Sequence, residues 1–165
     1  MTTNESTIWG LGDDIDTDII IPTEYLALPT ISDMKQYAFS PLRPELAGLV
    51  KEGDVIVAGK NFGCGSSREQ APEIIKAMGV KAVIAKSFAR IFFRNSINNG
   101  LLLIEQDTLP DQVKEGEKLT IHINECITYH DTNYPITPLP ENLLTIINDG
   151  GLVNAMRKKN GLEAL

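Results

Sequence analysis

The sequence is poor in cysteine: Cys64 and Cys126 are the only two in 165 residues, and no C-x-x-C pair occurs. A disulfide framework and a closed zinc site are therefore excluded within the chain. An excess of basic residues is also missing. The formal net charge is −7, whereas proteins that bind nucleic acid concentrate Lys and Arg to neutralise phosphates. No apolar run approaches the roughly 20 residues of a membrane span, and the polar start, MTTNESTIWG, lacks the basic flank and apolar core of a signal peptide. These absences predict a cytoplasmic chain with neither a nucleic-acid nor a membrane partner.

The familiar catalytic and phosphate loops are absent as well. A Walker loop fails because Lys60 lies at the wrong end of the glycine-rich stretch, and G-x-G-x-x-G fails because Arg68 stands at the last glycine position. G-x-S-x-G fails likewise. Asp14, Asp16 and Asp18 alternate as in a calcium loop, but Ile19 replaces the glycine of the turn and Tyr25 the bidentate glutamate. Calcium binding is therefore not expected; Asx turns capping the loop explain the aspartates, or one of them orients Arg68.

What is present fits one domain over residues 1–165, with 42% hydrophobic and 22% charged residues. Its centre is residues 59–79, GKNFGCGSSREQAPEIIKAMG. An apolar strand over residues 54–60 feeds a glycine-rich turn, and Ser66, Ser67 and Arg68 follow where a helix is expected. Glycines let backbone N–H groups approach an anion, a helix N-terminus favours negative charge, and Arg68 offers a fork for a carboxylate. Any strand-to-helix turn favours Gly and Ser, so spacing alone supports only an anion-friendly corner. It leaves open whether the reactive group is a serine hydroxyl or the Cys64 thiol, whose pKa a helix N-terminus would lower. His122 and His130 are the available bases for such a thiol, although both read as solvated.

Around this centre, strands are predicted at residues 7–11, 81–87 and 101–105, with a β-branched run ending at Pro22 also strand-like. Helices are predicted near 32–38, capped by Ser32, and over 88–99, where Phe88, Ile91 and Phe92 share helical spacing. Ser66 and Glu69 fit a capping box for the helix ending at Gly79, although Pro72 argues for a later start or a bend. Alternating strands and helices imply a parallel βαβ core. Beyond Val113 the pattern changes to strict alternation, with Leu119, Ile121 and Ile123 on one face, then a hairpin over residues 125–136, which adds antiparallel strands. A helix pair broken at Gly150 and Gly151 closes the chain. The fold class expected is α/β with a mixed sheet.

Three stretches carry a resemblance to a known family: GDDIDTDIIIPTEYL, AGKNFGCGSSREQAP and AVIAKSFARIFFRNSINNGLLLI. Together they resemble the small subunits of 3-isopropylmalate dehydratase, similar to the swivelling β/β/α domain of aconitase, in their compact form. The resemblance implies that Ser66 is the catalytic base, that Arg68 grips a substrate carboxylate with Ser67 beside it, and that Asp18 lies near that arginine. It implies a large-subunit partner carrying a [4Fe-4S] cluster, with no cofactor on this chain, and a small branched hydroxy-dicarboxylate as substrate. Homo-oligomerisation is an option for the isolated chain. In this family substrate choice is associated with the loop containing Leu26, Ala27 and Leu28. Ala27 stands where homoaconitase-like members carry an arginine, so an apolar substituent is expected. Isopropylmalate fits that expectation, as do 2,3-dimethylmalate and 2-methylmalate; a non-catalytic anion-binding module is the alternative outside enzymes. Gln70 replaces a histidine common among relatives, with no interpretation from the sequence.

Overall fold

A computed structural model describes residues 5–66 and 68–161. In chain order it contains β1 (Glu5–Gly10), α1 (Thr17–Ile20), a 3-10 turn (Thr23–Tyr25), α2 (Ile31–Lys35), α3 (Leu46–Leu49), β2 (Val55–Val57), α4 (Gln70–Ala77) and β3 (Ala82–Ala85). There follow α5 (Arg90–Asn98), β4 (Leu102–Glu105), α6 (Leu109–Gln112), β5 (Lys118–His122), β6 (Cys126–Tyr129), β7 (Thr132–Pro135), α7 (Glu141–Asn148) and α8 (Leu152–Lys159). Ser67, which the sequence places in the substrate shell, lies outside the described residues.

The strands form one mixed sheet in the order β4-β3-β2-β1-β5-β6-β7. The pairs from β1 to β4 are parallel, and those from β1 through β5 and β6 to β7 are antiparallel. The change occurs within β1. Its first half, Glu5 to Thr7, pairs with β5, and its second half, Ile8 to Gly10, pairs with β2. One strand thus joins the two kinds of sheet that the sequence pattern predicts.

Parallel strands covered on both faces must be apolar throughout, and every residue of β2 and β3 is buried. Because side chains alternate across a strand, this run serves two cores. Ile56, Val83 and Leu103 point to the face covered by α1, α2, α4 and α5, where Ile20, Phe39, Ile74 and Phe92 complete the packing. Val55, Val57, Ala82 and Ile84 point to the other face, against Leu119, Ile121, Ile127 and Tyr129 of the antiparallel half. Each fully buried aliphatic side chain contributes about 1.5–3 kcal/mol of transfer free energy, so the curl of the antiparallel strands over the second face is driven by burial.

Several local expectations are corrected. The β-branched run before Pro22 is helical rather than extended, because the Asp16 side chain accepts a hydrogen bond from the Ile19 N–H at 2.9 Å and caps α1. Burial of Ile20 and Ile21 then fixes the turn, and strand propensity yields to context. In α2 the cap is Thr30, not Ser32, accepting from the Asp33 N–H at 3.1 Å. The Ser66–Glu69 capping box does not form, since α4 begins at Gln70 without a side-chain cap. That start places Pro72 in the first turn, where its missing N–H has no intrahelical acceptor to lose. Ile123 is 47% exposed, beyond the end of β5, and does not join Leu119 and Ile121 in the core.

One ion pair ties the segment after α2 to the antiparallel half. Arg43 donates to both carboxylate oxygens of Glu115 and to the Gly10 carbonyl, while Glu115 accepts from the Gly10 N–H at 3.0 Å. The Arg43 hydrogen bond holds the Glu115 carboxyl below its ordinary value of 4.5, against a smaller opposing effect of burial. A lowered folded-state pKa contributes stability that is present above the unfolded value and lost as pH falls through the folded one. Glu115→Gln should therefore cost less than about 1 kcal/mol at neutral pH, because the pair is half exposed. Urea denaturation as a function of pH should show a shallower acid-side loss of stability in the variant; superimposable acid limbs would remove this pair from the pH dependence.

Candidate active site

The site lies where loops leave the C-terminal ends of β1, β2 and β3, the usual location of ligands on a parallel sheet. The first two loops are stitched by backbone hydrogen bonds. Gly59 N–H donates to the Gly12 carbonyl (3.1 Å), Asp14 N–H to Lys60 (2.8 Å), Gly63 N–H to Ile15 (2.7 Å) and Thr17 N–H to Cys64 (2.9 Å). The third loop joins through Phe62 N–H to the Ser87 carbonyl and Ala89 N–H to the Phe62 carbonyl, each 3.0 Å. Side chains add to this lattice. Asp13 accepts from the Lys60 N–H at 2.7 Å, Asp14 from the Asn61 amide at 3.1 Å, and the Thr17 hydroxyl donates to the Ser66 carbonyl at 2.7 Å. Asp13, Asp14 and Asp16 thus serve as caps and loop ties.

Gly63 and Gly65 have φ of +84° and +92°, a conformation costly for other residues. At Gly63 space forbids a side chain as well: an added Cβ would lie 2.1 Å from Cγ of Phe92. Phe92 stands in an edge-to-face cluster with Phe62, ring centroids 5.4 Å apart, so the glycine lets the loop rest on a ring that α5 holds in place.

Ser66 and Arg68 both line a cavity of about 220 Å³, with Thr17 of α1 and Arg90, Ile91 and Asn95 of α5. Ser66 is exposed and Arg68 half-buried. Arg68 donates to the Ile21 carbonyl at 2.9 Å and to the Thr23 hydroxyl at 2.8 Å, and it pairs with Asp18. Two of the five N–H donors of a guanidinium are thus hydrogen-bonded and Asp18 adds an ion pair, which fixes the plane of the fork and leaves donors for a carboxylate. The geometry brings Ser66, Arg68 and Asp18 together. It does not place Leu26, Ala27 or Leu28 on the cavity wall: Leu26 and Leu28 lean on the core, and Ala27 is exposed.

The helix that faces the site differs from the one expected. Because α4 starts only at Gln70, its N-terminus is not at Ser66; the first turn of α5 lines the cavity instead. The positive end of that dipole favours an anion by about 0.3–1 kcal/mol at an exposed position. Thr17, Arg90, Ile91 and Asn95 were not singled out as site residues by sequence. The available signal was the phase of the 88–99 helix: Phe92 is buried and Ile91 is 60% exposed, although both read as one apolar stripe.

Cys64 is not activated. Burial pushes its thiol above the ordinary value, and the Asp16 and Asp14 carboxylates push it further, the reverse of the lowering expected at a helix N-terminus. His122 sits on β5 against Thr128 at 3.1 Å and His130 against Glu117 at 3.0 Å; neither lines the cavity. Among the described residues no group of three or more His, Cys, Asp or Glu could hold a metal, and two cysteines do not suit an iron–sulfur cluster. The donor set of the described residues therefore does not fit such a cluster.

Comparison with known proteins places these features in context. The aconitase C-terminal domain family matches residues 49–109. The 3-isopropylmalate dehydratase small subunit of Lachnospira eligens is 71% identical over 156 residues, covering 94% of this chain and 95% of the relative. The 3-isopropylmalate dehydratase small subunit 1 of Archaeoglobus fulgidus is 50% identical, covering 88% and 91%. A crystal structure of 3-isopropylmalate dehydratase from Methanocaldococcus jannaschii superposes with a TM-score of 0.89 at 43% identity, covering 94% of each chain. The mixed α/β fold read from the sequence agrees with that structure.

The state of Cys64 is testable directly. In a Cys126→Ser background its alkylation by iodoacetamide should be slow at neutral pH, with a rate still rising beyond pH 9.0, the ordinary thiol value. A plateau below about pH 8 would mean a stabilised thiolate and would return the thiol to consideration as nucleophile.

Proposed function

The chain belongs to the family of 3-isopropylmalate dehydratase small subunits, and on that footing we propose that it forms half of the active site of a heteromeric hydro-lyase that interconverts 3-isopropylmalate and 2-isopropylmalate in leucine biosynthesis. The single observation that carries this reading is the convergence of Ser66 and Arg68 on one small cavity, with Asp18 and Thr23 fixing the arginine. In an acidic chain, a cavity with two arginines on its wall, Arg68 and Arg90, suits a small dicarboxylate.

In this reading Arg68 holds one substrate carboxylate through its remaining N–H donors and sets the neighbouring carbon against Ser66. The Ser66 oxygen, as alkoxide, takes the proton alpha to that carboxylate. The electron pair left on carbon forms the double bond as the hydroxyl departs from the adjacent carbon as hydroxide; Ser66 keeps the abstracted proton as a neutral hydroxyl, and a second proton, supplied from the large-subunit side of the site, turns the hydroxide into water. Return of the Ser66 proton and of hydroxide with the opposite regiochemistry, that water giving up its second proton again, moves the hydroxyl to the neighbouring carbon. A serine is a weak acid, and the first turn of α5 and Arg68 are the positive groups that favour its alkoxide. The large-subunit partner is assigned the [4Fe-4S] cluster, which supplies Lewis-acid chemistry toward the hydroxyl when bound. Ser67 joins the substrate shell in this proposal, and the loop of Leu26, Ala27 and Leu28 acts from outside the cavity wall; without an arginine at Ala27 a third carboxylate has no partner there.

Reconstituted with its large subunit, Ser66→Ala should lower kcat by about 10²- to 10⁴-fold, the range for a lost general base. Near-normal turnover would remove Ser66 from that role. Arg68→Lys keeps the charge and loses the fork. Loss of one charge-assisted hydrogen bond of about 1.5–3 kcal/mol should raise KM roughly 10- to 100-fold, and an unchanged KM would exclude bidentate carboxylate binding.

A further inference from the structure

Ile91 is a large β-branched side chain left 60% exposed, in the first turn of a helix that buries its neighbour Phe92. Exposure of a single isoleucine is ordinary on a protein surface. This one, however, lies on the wall of the cavity that holds Ser66 and Arg68. The wall is mixed. The glycine corner and α1 contribute the polar Thr17, Ser66 and Arg68, and α5 contributes the apolar Ala89, Ile91 and Phe92 beside Arg90 and Asn95. A substrate that satisfies this wall carries carboxylates for the arginines and an apolar branch for Ile91.

We infer that Ile91 is a specificity-determining residue, packing on the apolar branch of the substrate and selecting for its size. The inference rests on the dehydratase reading above and extends it to a residue outside the 26–28 loop. Its physical basis is shape. In a helix a β-branched side chain is confined to essentially one χ1 rotamer, so Ile91 presents a rigid surface with little entropy to lose on contact. The 26–28 loop offers no comparable surface to the cavity, since Leu26 and Leu28 are committed to the core. Ala27 then acts on charge, by withholding a partner for a third carboxylate, and Ile91 acts on bulk.

The test uses the complex of the full chain with its large subunit, comparing 3-isopropylmalate with 3-methylmalate, which has the same carboxylates and a smaller branch. One methylene in an apolar pocket is worth roughly 10- to 200-fold in kcat/KM. Ile91→Ala should therefore reduce the preference for the isopropyl substrate by about 10-fold or more, with Ile91→Val in between. Assembly with the large subunit, followed by sedimentation, should be unchanged, as expected of an exposed side chain that contacts substrate and not the partner. An equal fall for both substrates, a loss of assembly, or no change in the ratio would each overturn the inference. A wild-type complex that turns over neither substrate would instead defeat the dehydratase reading itself, and this inference with it.

Discussion

The site depends on the absence of a side chain at Gly63. Its α-carbon rests on the ring of Phe92, in a space where a Cβ would lie 2.1 Å from the nearest ring atom. Phe92 belongs to α5, and Gly63 to the loop that presents Ser66, so this contact sets the distance between the two walls of the cavity. Any larger residue would also have to adopt φ near +84°, at a cost of about 1–2 kcal/mol before the collision is counted. From that contact the loop runs on through Gly65, and Thr17 closes it by donating to the Ser66 carbonyl. The glycine-rich corner is therefore held by its backbone, and the Ser66 side chain is exposed.

Much of the fold was legible because burial on both sides of a parallel sheet demands continuous apolar strands, and Val55 to Val57 and Ala82 to Ala85 satisfy that demand without exception. The antiparallel half was legible from strict alternation, with Leu119 and Ile121 facing inward. What sequence reasoning missed were places where a local hydrogen bond outweighs propensity. Ile19 and Ile20 read as a strand, yet one carboxylate, Asp16, turns them into a helix. Around Pro72 the failure ran the other way: the capping signal at Ser66 and Glu69 was present, but a helix begun there would have carried the proline beyond its first turn. The late start at Gln70 leaves Ser66 and Arg68 outside the helix.

The site was legible only in part, for a geometric reason. Ser66 and Arg68 are neighbours in sequence, so their joint use needs only a tight turn. Asp18 is 50 residues from Arg68, and its pairing follows from the parallel alignment of β1 with β2, which brings the two following loops to one sheet end. Arg90 and Ile91 come from the first turn of α5, which follows the third loop of the same end, and both line the cavity. An apolar stripe read by spacing alone could not separate Ile91 from Phe92.

Electrostatics then bear differently on the two candidates for the reactive group that the sequence left open. Cys64 and Ser66 are two residues apart on the same turn, and intrinsic acidity would favour the thiol. The fields around them are opposite in sign. Cys64 is partly buried and faces Asp14 and Asp16, which the fold needs as loop ties and as the α1 cap, so a thiolate there is opposed by charges that cannot be removed without loosening the corner. Ser66 shares its cavity with Arg68, Arg90 and the first turn of α5, all of which favour an anion. The aspartates that shape the loop thus quiet the thiol, and the arginines concentrate the positive potential of an acidic chain on the serine.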